Sequence, residues 1–491
     1  LKDFAFFNIK LKIEKKVKNY FLEKICFLEY TLINMEKIKT RFAPSPTGFL
    51  HLGSIRTALF NFLFARKNSG IFLLRIEDTD KERCKKIYEE DIKNSLKWLN
   101  LNWDEGPYYQ SERLEIYNEF LERLKEKDAV YYCYCQESEL EERRKLSLKR
   151  GIPPKYDGRC RNLTKKEIQN FEEEGRVPCV RFKVKKQILE VEDLIRGKIK
   201  FDTSLIGDFI IFKQNKIPTF LFANAVDDAL MEITHVIRGD DHLSNTPRQI
   251  LIQKELNLNS PFYAHLPMIL SSDKSKLSKR IESISIRELK EEGFLPEAIL
   301  NYVVFLGWSP KEKNEIFSLK ELIEKFTLEK VSKSSSIFDI EKLKWINSSH
   351  LKNYNLDKLT ELVKDYLNLE IEKEFLKKIV FTFQDSVVKL SDFKEESKIF
   401  LEEVEVNKIK DKIKEKEIFL EFSNFLENIE IDSPENLKKE IKKFIEIKKI
   451  SPKEFFSELR LILTGRESGP EIQKIIYTLG KEKTLNRIRK L

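Results

Sequence analysis

Two distant stretches of this chain carry residue types suited to handling phosphate. One is Arg41-Phe-Ala-Pro-Ser-Pro-Thr-Gly-Phe-Leu-His-Leu-Gly-Ser54, and the other is Lys276-Leu-Ser-Lys-Arg280. In the first, a histidine flanked by glycines stands at the mouth of an amphipathic segment. Ile55, Leu59, Phe62 and Leu63 recur at helical spacing, with Arg56, Asn61 and Arg66 assigned to the other faces. The spacing predicts a helix opening at about Gly53-Ser54, with unpaired backbone N–H groups and the positive end of its dipole beside His51. Such a terminus binds phosphate. Gly48 and Gly53 permit close approach of the chain, and Pro44 and Pro46 hold the lead-in extended. The second stretch offers the cations Lys276 and Lys279 on a Ser-rich loop, a clamp for a polyanion.

The elements around the first stretch follow from pattern. Lys37 to Phe42 can form a strand, and Ile71-Phe-Leu-Leu-Arg-Ile76 is a short apolar run of the buried parallel type. Strand, phosphate turn, helix, strand is the opening of a doubly wound α/β nucleotide fold. That fold is expected to resume near Pro218, where Phe220-Leu-Phe-Ala-Asn-Ala-Val226 and Ile233-Thr-His-Val-Ile237 are again short apolar runs. Between the halves, Val180-Arg-Phe-Lys-Val184 alternates as a half-buried strand would. Beyond the second stretch, helices are expected over 295–305 and 319–326. After Asn347 the glycines are Gly465, Gly469 and Gly480, so the tail reads as helices with Lys/Glu outer faces and Phe/Leu/Ile inner ones.

A second cluster is sulfur-based. Cys133-Tyr-Cys135 is followed by Tyr156-Asp-Gly-Arg-Cys160. Three thiolates with one further ligand would make a closed tetrahedral zinc site, whereas three reduced cysteines in a core would be inert, and spacing leaves both open. Cys26, Cys84 and Cys179 stand unassigned.

Composition sets bounds. The 491 residues predict several domains. The absence of a run of about 20 apolar residues predicts a soluble protein with no membrane association, and irregularly spaced cysteines in a Lys/Glu-rich chain predict a reducing, cytoplasmic setting. A net charge of +9, from 90 basic and 81 acidic residues, permits a polyanionic partner. Residues 1–34 are Lys- and Phe-rich, contain acidic residues and lack the arginines of a transit peptide. They are expected to be an extension outside the native start, the rival being a genuine helical extension.

The two phosphate-handling stretches resemble the HIGH and KMSKS signatures of class I aminoacyl-tRNA synthetases. With Arg75-Ile-Glu-Asp-Thr-Asp80 and Ile237-Arg-Gly-Asp-Asp-His242 they are similar to the bacterial glutamyl/glutaminyl branch, from about Lys37 to the C-terminus. The resemblance implies a Rossmann-like catalytic domain in two halves, 35–106 and 215–280, interrupted by a zinc-bearing connecting domain over 107–214 that holds the acceptor end of tRNA. It further implies a stem-contact domain over 281–350 and all-α anticodon-binding domains over 351–420 and 421–491.

Function follows by the same resemblance: a monomer that uses ATP with Mg²⁺ to activate L-glutamate and transfer it to tRNA(Glu). His51, Lys276 and Lys279 would serve catalysis, and His51, Gly53, Lys276, Ser278 and Lys279 would hold ATP. Arg41, Ala43, Ser45, Glu77, Phe220, Asn224 and Arg238 would hold glutamate, the two arginines reading its side-chain carboxylate. Phe220 stands where the family commonly has tyrosine. Zinc would be bound by Cys133, Cys135, Tyr156 and Cys160, with water able to replace the tyrosine.

Glutamine-specific relatives lack the equivalent of Arg238 and have a β-barrel anticodon region, which the helical tail here opposes. A catalytically silent tRNA-binding paralogue is opposed by His51, Lys276 and Lys279. Family members that reject glutamine tRNA carry an arginine in the first helical anticodon domain, and the matching position here falls near Ser386. That substitution implies that tRNA(Gln) is accepted too.

Overall fold

The computed structural model describes residues 37–271, 284–310, 312–368, 370–405 and 409–491. Residues 1–34, Cys26 among them, and Lys276, Ser278 and Lys279 lie outside the described residues. Five parallel pairings and one antiparallel pairing build a seven-stranded sheet. Its strands are β1 (Lys39–Phe42), β2 (Ile71–Ile76), β3 (Glu105–Tyr109), β6 (Ile188–Asp193), β7 (Gly197–Asp202), β9 (His235–Gly239) and β10 (Phe262–Leu266), in the order β3-β2-β1-β9-β10-β6-β7. The two strands expected first, ending at Phe42 and spanning Ile71–Ile76, are present and paired side by side. The stretch expected as an insertion contributes β6 and β7 to the far edge of the sheet, through a β6–β10 pairing of Asp193 with Tyr263.

Helix α1 (Leu52–Lys67) follows the first strand and packs against it. His51 is its N-cap, and Arg66 and Lys67 meet the negative end of its dipole. The helix thus begins at Leu52, slightly earlier than predicted. Arg56 and Asn61, assigned from sequence to outer faces, are instead buried. Each donates to backbone carbonyls, most of them on other elements. Arg56 donates to Leu306 O and Pro267 O, and Asn61 to Thr57 O and Ile237 O. Helix α1 is therefore enclosed on nearly all sides.

Residues 220–226 form no strand but the start of a helix, Phe220–Leu230. A run apolar on every face reads alike for a buried helix and a buried strand, and small Ala223, Ala225 and Ala229 favour the helix. The alternation expected over Val180–Val184 is likewise absent: β5 (Cys179–Phe182) is buried along its whole length. It lies between β4 (Val130–Cys133) and β8 (Phe209–Phe212) in a separate three-stranded antiparallel sheet.

After the seven-stranded sheet the chain is almost wholly helical, including Pro296–Phe305 and Leu319–Lys325 as expected. From Leu356 onward it runs through seven α-helices among the described residues, ending with Ile472–Arg489, which is kinked at Gly480. That last helix packs on Lys373–Phe383 as well as on Lys416–Glu427, Pro434–Lys448 and Pro452–Thr464, and so ties the tail together. Phe419, Phe422, Phe444 and Phe455 form an aromatic core there. Among the described residues no helix is long and apolar enough to cross a membrane.

Candidate active site and thiol cluster

The carboxyl ends of the parallel strands open into a cavity of about 620 Å³. In an open α/β sheet this is where a ligand enters, beside a change of strand order. Here β1 lies between β2 and β9, so the crevice forms between the two halves of the fold. Arg41, Ala43, Ser45, His51, Gly53, Glu77, Phe220, Asn224 and Arg238 all line it. The cavity thus gathers every sequence-predicted glutamate-site residue and the His51 end of the predicted ATP site.

At the α1 end, Ser54 N donates to His51 Nδ1 at 3.4 Å, and Ser54 Oγ lies 2.9 Å from Nε2. A Cβ on Gly53 would stand 3.2 Å from the His51 ring, so glycine lets the imidazole lie over the helix terminus. At the opposite end, buried charges meet in a row across the strands. Arg41 on β1 makes two bonds to Asp228, at 3.1 and 3.4 Å. Arg75 on β2 donates to Asp228 at 2.8 Å, to Glu77 at 3.3 Å and to Asn224 Oδ1 at 2.5 Å.

Arg238 on β9 differs from its neighbours. It donates from Nε to His265 Nε2 at 3.2 Å, from Nη1 to Gln249 Oε1 at 2.7 Å, and from Nη2 to Thr246 Oγ1 at 2.9 Å and His242 O at 3.4 Å. All of these partners are neutral or carbonyl groups, and no carboxylate is among them. Burial accordingly pushes its pKa down to about 10.

The difference lies in direct partners. Arg41 and Arg75 are bonded to Asp228, Arg75 also to Glu77, and Arg113 to Asp227 at 2.8 Å. Arg238 has no carboxylate bonded to it. Burial also raises Glu77 to about 7, against the opposing pull of Arg75 and Arg41. The cavity therefore suits an anion at Arg238, with a carboxylate close by for an ammonium. Phe220 contributes a ring stacked on His242 at 5.2 Å, and no hydroxyl.

These networks include residues that the sequence reading passed over: Asp228, Gln249, Thr246, His265 and Asp193, while Arg75 was quoted in a motif but given no role. The available signal was a charge inside an apolar run, as with Arg75 in β2 and Asp227-Asp228 in the helix after Phe220. Such groups are rarely buried unless paired.

The thiol cluster lies in the smaller sheet. Cys133, Cys135 and Cys160 are buried, with their sulfurs within 4.8 Å of one another. The Tyr156 hydroxyl is 3.4 Å from the Cys133 sulfur and 3.6 Å from that of Cys135, and Cys135 lies 3.5 Å from Cys160. Ligand atoms about 2.3 Å from a tetrahedral ion stand just under 4 Å apart, so this donor set fits zinc. Cys160 N donates to the Tyr156 oxygen at 3.0 Å, and the Arg181 guanidinium lies 3.7 Å over the Tyr156 ring. Cys179, unassigned from sequence, belongs to the same buried cluster and stands opposite Cys133 in the β4–β5 ladder.

Comparison with known proteins agrees with this layout. Residues 37–345 match the family described as tRNA synthetases class I (E and Q), catalytic domain, and residues 358–491 match an anticodon binding domain. The chain belongs to the glutamyl- and glutaminyl-type class I tRNA synthetases. It is 44% identical over 469 residues to glutamate–tRNA ligase 2 of Thermoanaerobacter pseudethanolicus, covering 93% of this chain and 98% of that protein. It is also 44% identical over 466 residues to the glutamate–tRNA ligase of Aquifex aeolicus, covering 92% of this chain and 98% of that one. A crystal structure of the glutamate tRNA ligase from Elizabethkingia meningosepticum in complex with its amino acid superimposes with a TM-score of 0.82. That match has 33% identity and covers 93% of this chain and 99% of the other. The synthetase fold thus accounts for both the sheet with its C-terminal-edge cavity and the helical tail.

Proposed function

We propose that this protein attaches L-glutamate to the 3′ end of tRNA(Glu) through a glutamyl-adenylate, releasing AMP and pyrophosphate. The observation that carries the reading is Arg238, a buried guanidinium without a carboxylate partner, in the same cavity as the N-terminus of α1. A side-chain carboxylate supplies what the site lacks. Glu77 takes the substrate ammonium, Ser45 and Ala43 line its backbone end, and Asn224 is held in place by Arg75.

The substrate α-carboxylate attacks the α-phosphorus of ATP, and the negative charge gathering there must be met by fixed donors. His51 and the backbone N–H groups at Gly53 supply them from one side. Lys276, Ser278 and Lys279, outside the described residues, are assigned to the departing pyrophosphate. No group need act as nucleophile on the enzyme, because the second step is attack of a ribose hydroxyl on a mixed anhydride. Mg²⁺ is expected to arrive held by the triphosphate. Zinc would be held by Cys133, Cys135, Tyr156 and Cys160, where it supplies structural cross-linking; the residues around it fix the Tyr156 oxygen through Cys160 N.

A second, wider specificity has its own support. Ser386 is exposed at the end of Lys373–Phe383, and the cations beside it are engaged: Lys389 with Glu292 at 3.1 Å and Lys474 with Asp385 at 2.9 Å. We therefore extend the proposal to glutamylation of tRNA(Gln). The protein acts as a monomer in the cytoplasm, a setting in keeping with its free cysteines. ATP–pyrophosphate exchange with glutamate and tRNA tests the central reading, and absence of exchange with folded, full-length protein that binds tRNA would refute it.

A further inference from the structure

Arg238 is held by a chain of buried groups that crosses three neighbouring strands. In the β9–β10 ladder Arg238 stands directly opposite His265, and in the β10–β6 pairing Asp193 is opposite Tyr263, two residues before His265. Asp193 Oδ2 lies 2.6 Å from His265 Nδ1, and both side chains are fully shielded from water. The same carboxylate accepts backbone N–H bonds from Ile195 at 3.0 Å, Arg196 at 2.8 Å and His265 itself at 3.1 Å. Those bonds fix its direction and favour its ionised form.

The chemistry of the imidazole then follows. An ionised Asp193 keeps the proton of His265 on Nδ1, which leaves Nε2 as an acceptor. Two donors converge on that nitrogen: Arg238 Nε at 3.2 Å and the Thr246 hydroxyl at 3.1 Å, while Thr246 Oγ1 accepts in turn from Arg238 Nη2. Together with Gln249 and the His242 carbonyl, the bonds account for Nε, both Nη2 hydrogens and one Nη1 hydrogen. The other Nη1 hydrogen is left for a ligand.

A carboxylate in place of His265 would orient the guanidinium equally well but would cancel its charge. Arg41 shows that outcome, with its Nε spent on Asp228. We propose that Asp193 and His265 form a positioning relay that orients Arg238 through a neutral acceptor. The arginine so presented has no carboxylate bonded to it, keeps an N–H for a ligand, and selects a side-chain carboxylate over a side-chain amide. The inference rests on the assignment of Arg238 to the substrate side chain.

The test uses the full-length protein in tRNA-dependent ATP–pyrophosphate exchange, with glutamate and glutamine as competing substrates. Asp193→Asn can donate to Nδ1 and so drive the ring proton onto Nε2, where it meets the Arg238 N–H instead of accepting it. The expected result is a rise in KM for glutamate of about tenfold to 100-fold, the scale of one charge-assisted hydrogen bond. KM for ATP should stay near the wild-type value, and the glutamate-to-glutamine preference should fall by a similar factor. His265→Gln, which keeps an acceptor facing the guanidinium but gives up Asp193, is expected to lose less than His265→Leu.

Equal rises in KM for glutamate and ATP with a lowered Tm would reduce the relay to a structural element and overturn the proposal. So would unchanged KM and preference in both Asp193→Asn and His265→Leu while Arg238→Gln is impaired; that pattern leaves the assignment of Arg238 standing. An Arg238→Gln variant with normal preference would instead remove the assignment itself, and the relay with it.

Discussion

Replacing Arg238 by glutamine separates what this residue does for binding from what it costs the empty protein. In the free site the guanidinium is buried with no carboxylate bonded to it, and the drop of its pKa from 12.5 to about 10, burial outweighing the pull of Asp228 and Glu77, corresponds to a cost on the order of 3 kcal/mol. Glutamine removes that cost. It also strands part of the polar shell of His265, Gln249 and Thr246, at about 1–3 kcal/mol. The two effects nearly offset, so the Tm of the ligand-free variant should stay within a few degrees of the parent. Binding has no such compensation. A substrate carboxylate that loses its charged partner in a desolvated site forfeits about 2–5 kcal/mol, equivalent to a drop of about 30-fold to several thousandfold in kcat/KM for glutamate. Steady-state exchange kinetics, paired with thermal melts with and without glutamate, read both quantities. Near-normal kcat/KM would mean that Arg41 alone reads the side chain. A large fall in the ligand-free Tm would mean that Arg238 is a structural group, and either result defeats the reasoning.

Other outcomes follow from the same geometry. Purified protein should carry about one zinc per chain, and Cys133→Ser or Cys160→Ser should lower both metal content and tRNA charging, because binding energy at such a site is folding energy. Tyr156→Phe should lose less, and an active full-length preparation free of zinc by elemental analysis would contradict the assignment. Glu77, raised to about 7 by burial, binds its proton more tightly in the folded state than in the unfolded one. Its contribution to stability is therefore full below the ordinary carboxylate pKa and lost as pH rises through about 7. Substrate ammonium needs the opposite, ionised form, so kcat/KM for glutamate should fall by up to about tenfold per pH unit below that value. A Glu77→Gln variant that keeps the same pH slope would show that another group is responsible. At Ser386, loss of one base-reading contact should bring charging of tRNA(Gln) transcripts with labelled glutamate to within about 100-fold of tRNA(Glu). A gap of about a thousandfold or more would show that discrimination survives.

The strand after the His51 helix was legible because it is a short apolar run bounded by turn residues, and Ile71–Ile76 appears with the predicted limits. The helix over 220–230 was not, because burial on all faces erases the periodicity that separates helix from strand. The same enclosure misled the reading of α1. Polarity at Arg56 and Asn61 suggested water, whereas their partners are carbonyls far along the chain at Leu306, Pro267 and Ile237.

The candidate site divides along the same line. Residues that touch the cavity were named through the family resemblance, most of them within its contiguous motifs; those that set their charge lie on other strands and helices, joined only by the folded sheet. Asp228 neutralises Arg41 across 187 positions of sequence, and Asp193 reaches His265 across 72. Two arginines on neighbouring strands thereby acquire different chemistry: one is spent on a carboxylate, and the other is bonded to a neutral imidazole. Sequence supplies the guanidinium, but its availability to a ligand depends on which strand lies beside it. In this protein that strand is β10, which presents a neutral acceptor where the helix bearing Asp228 presents an anion.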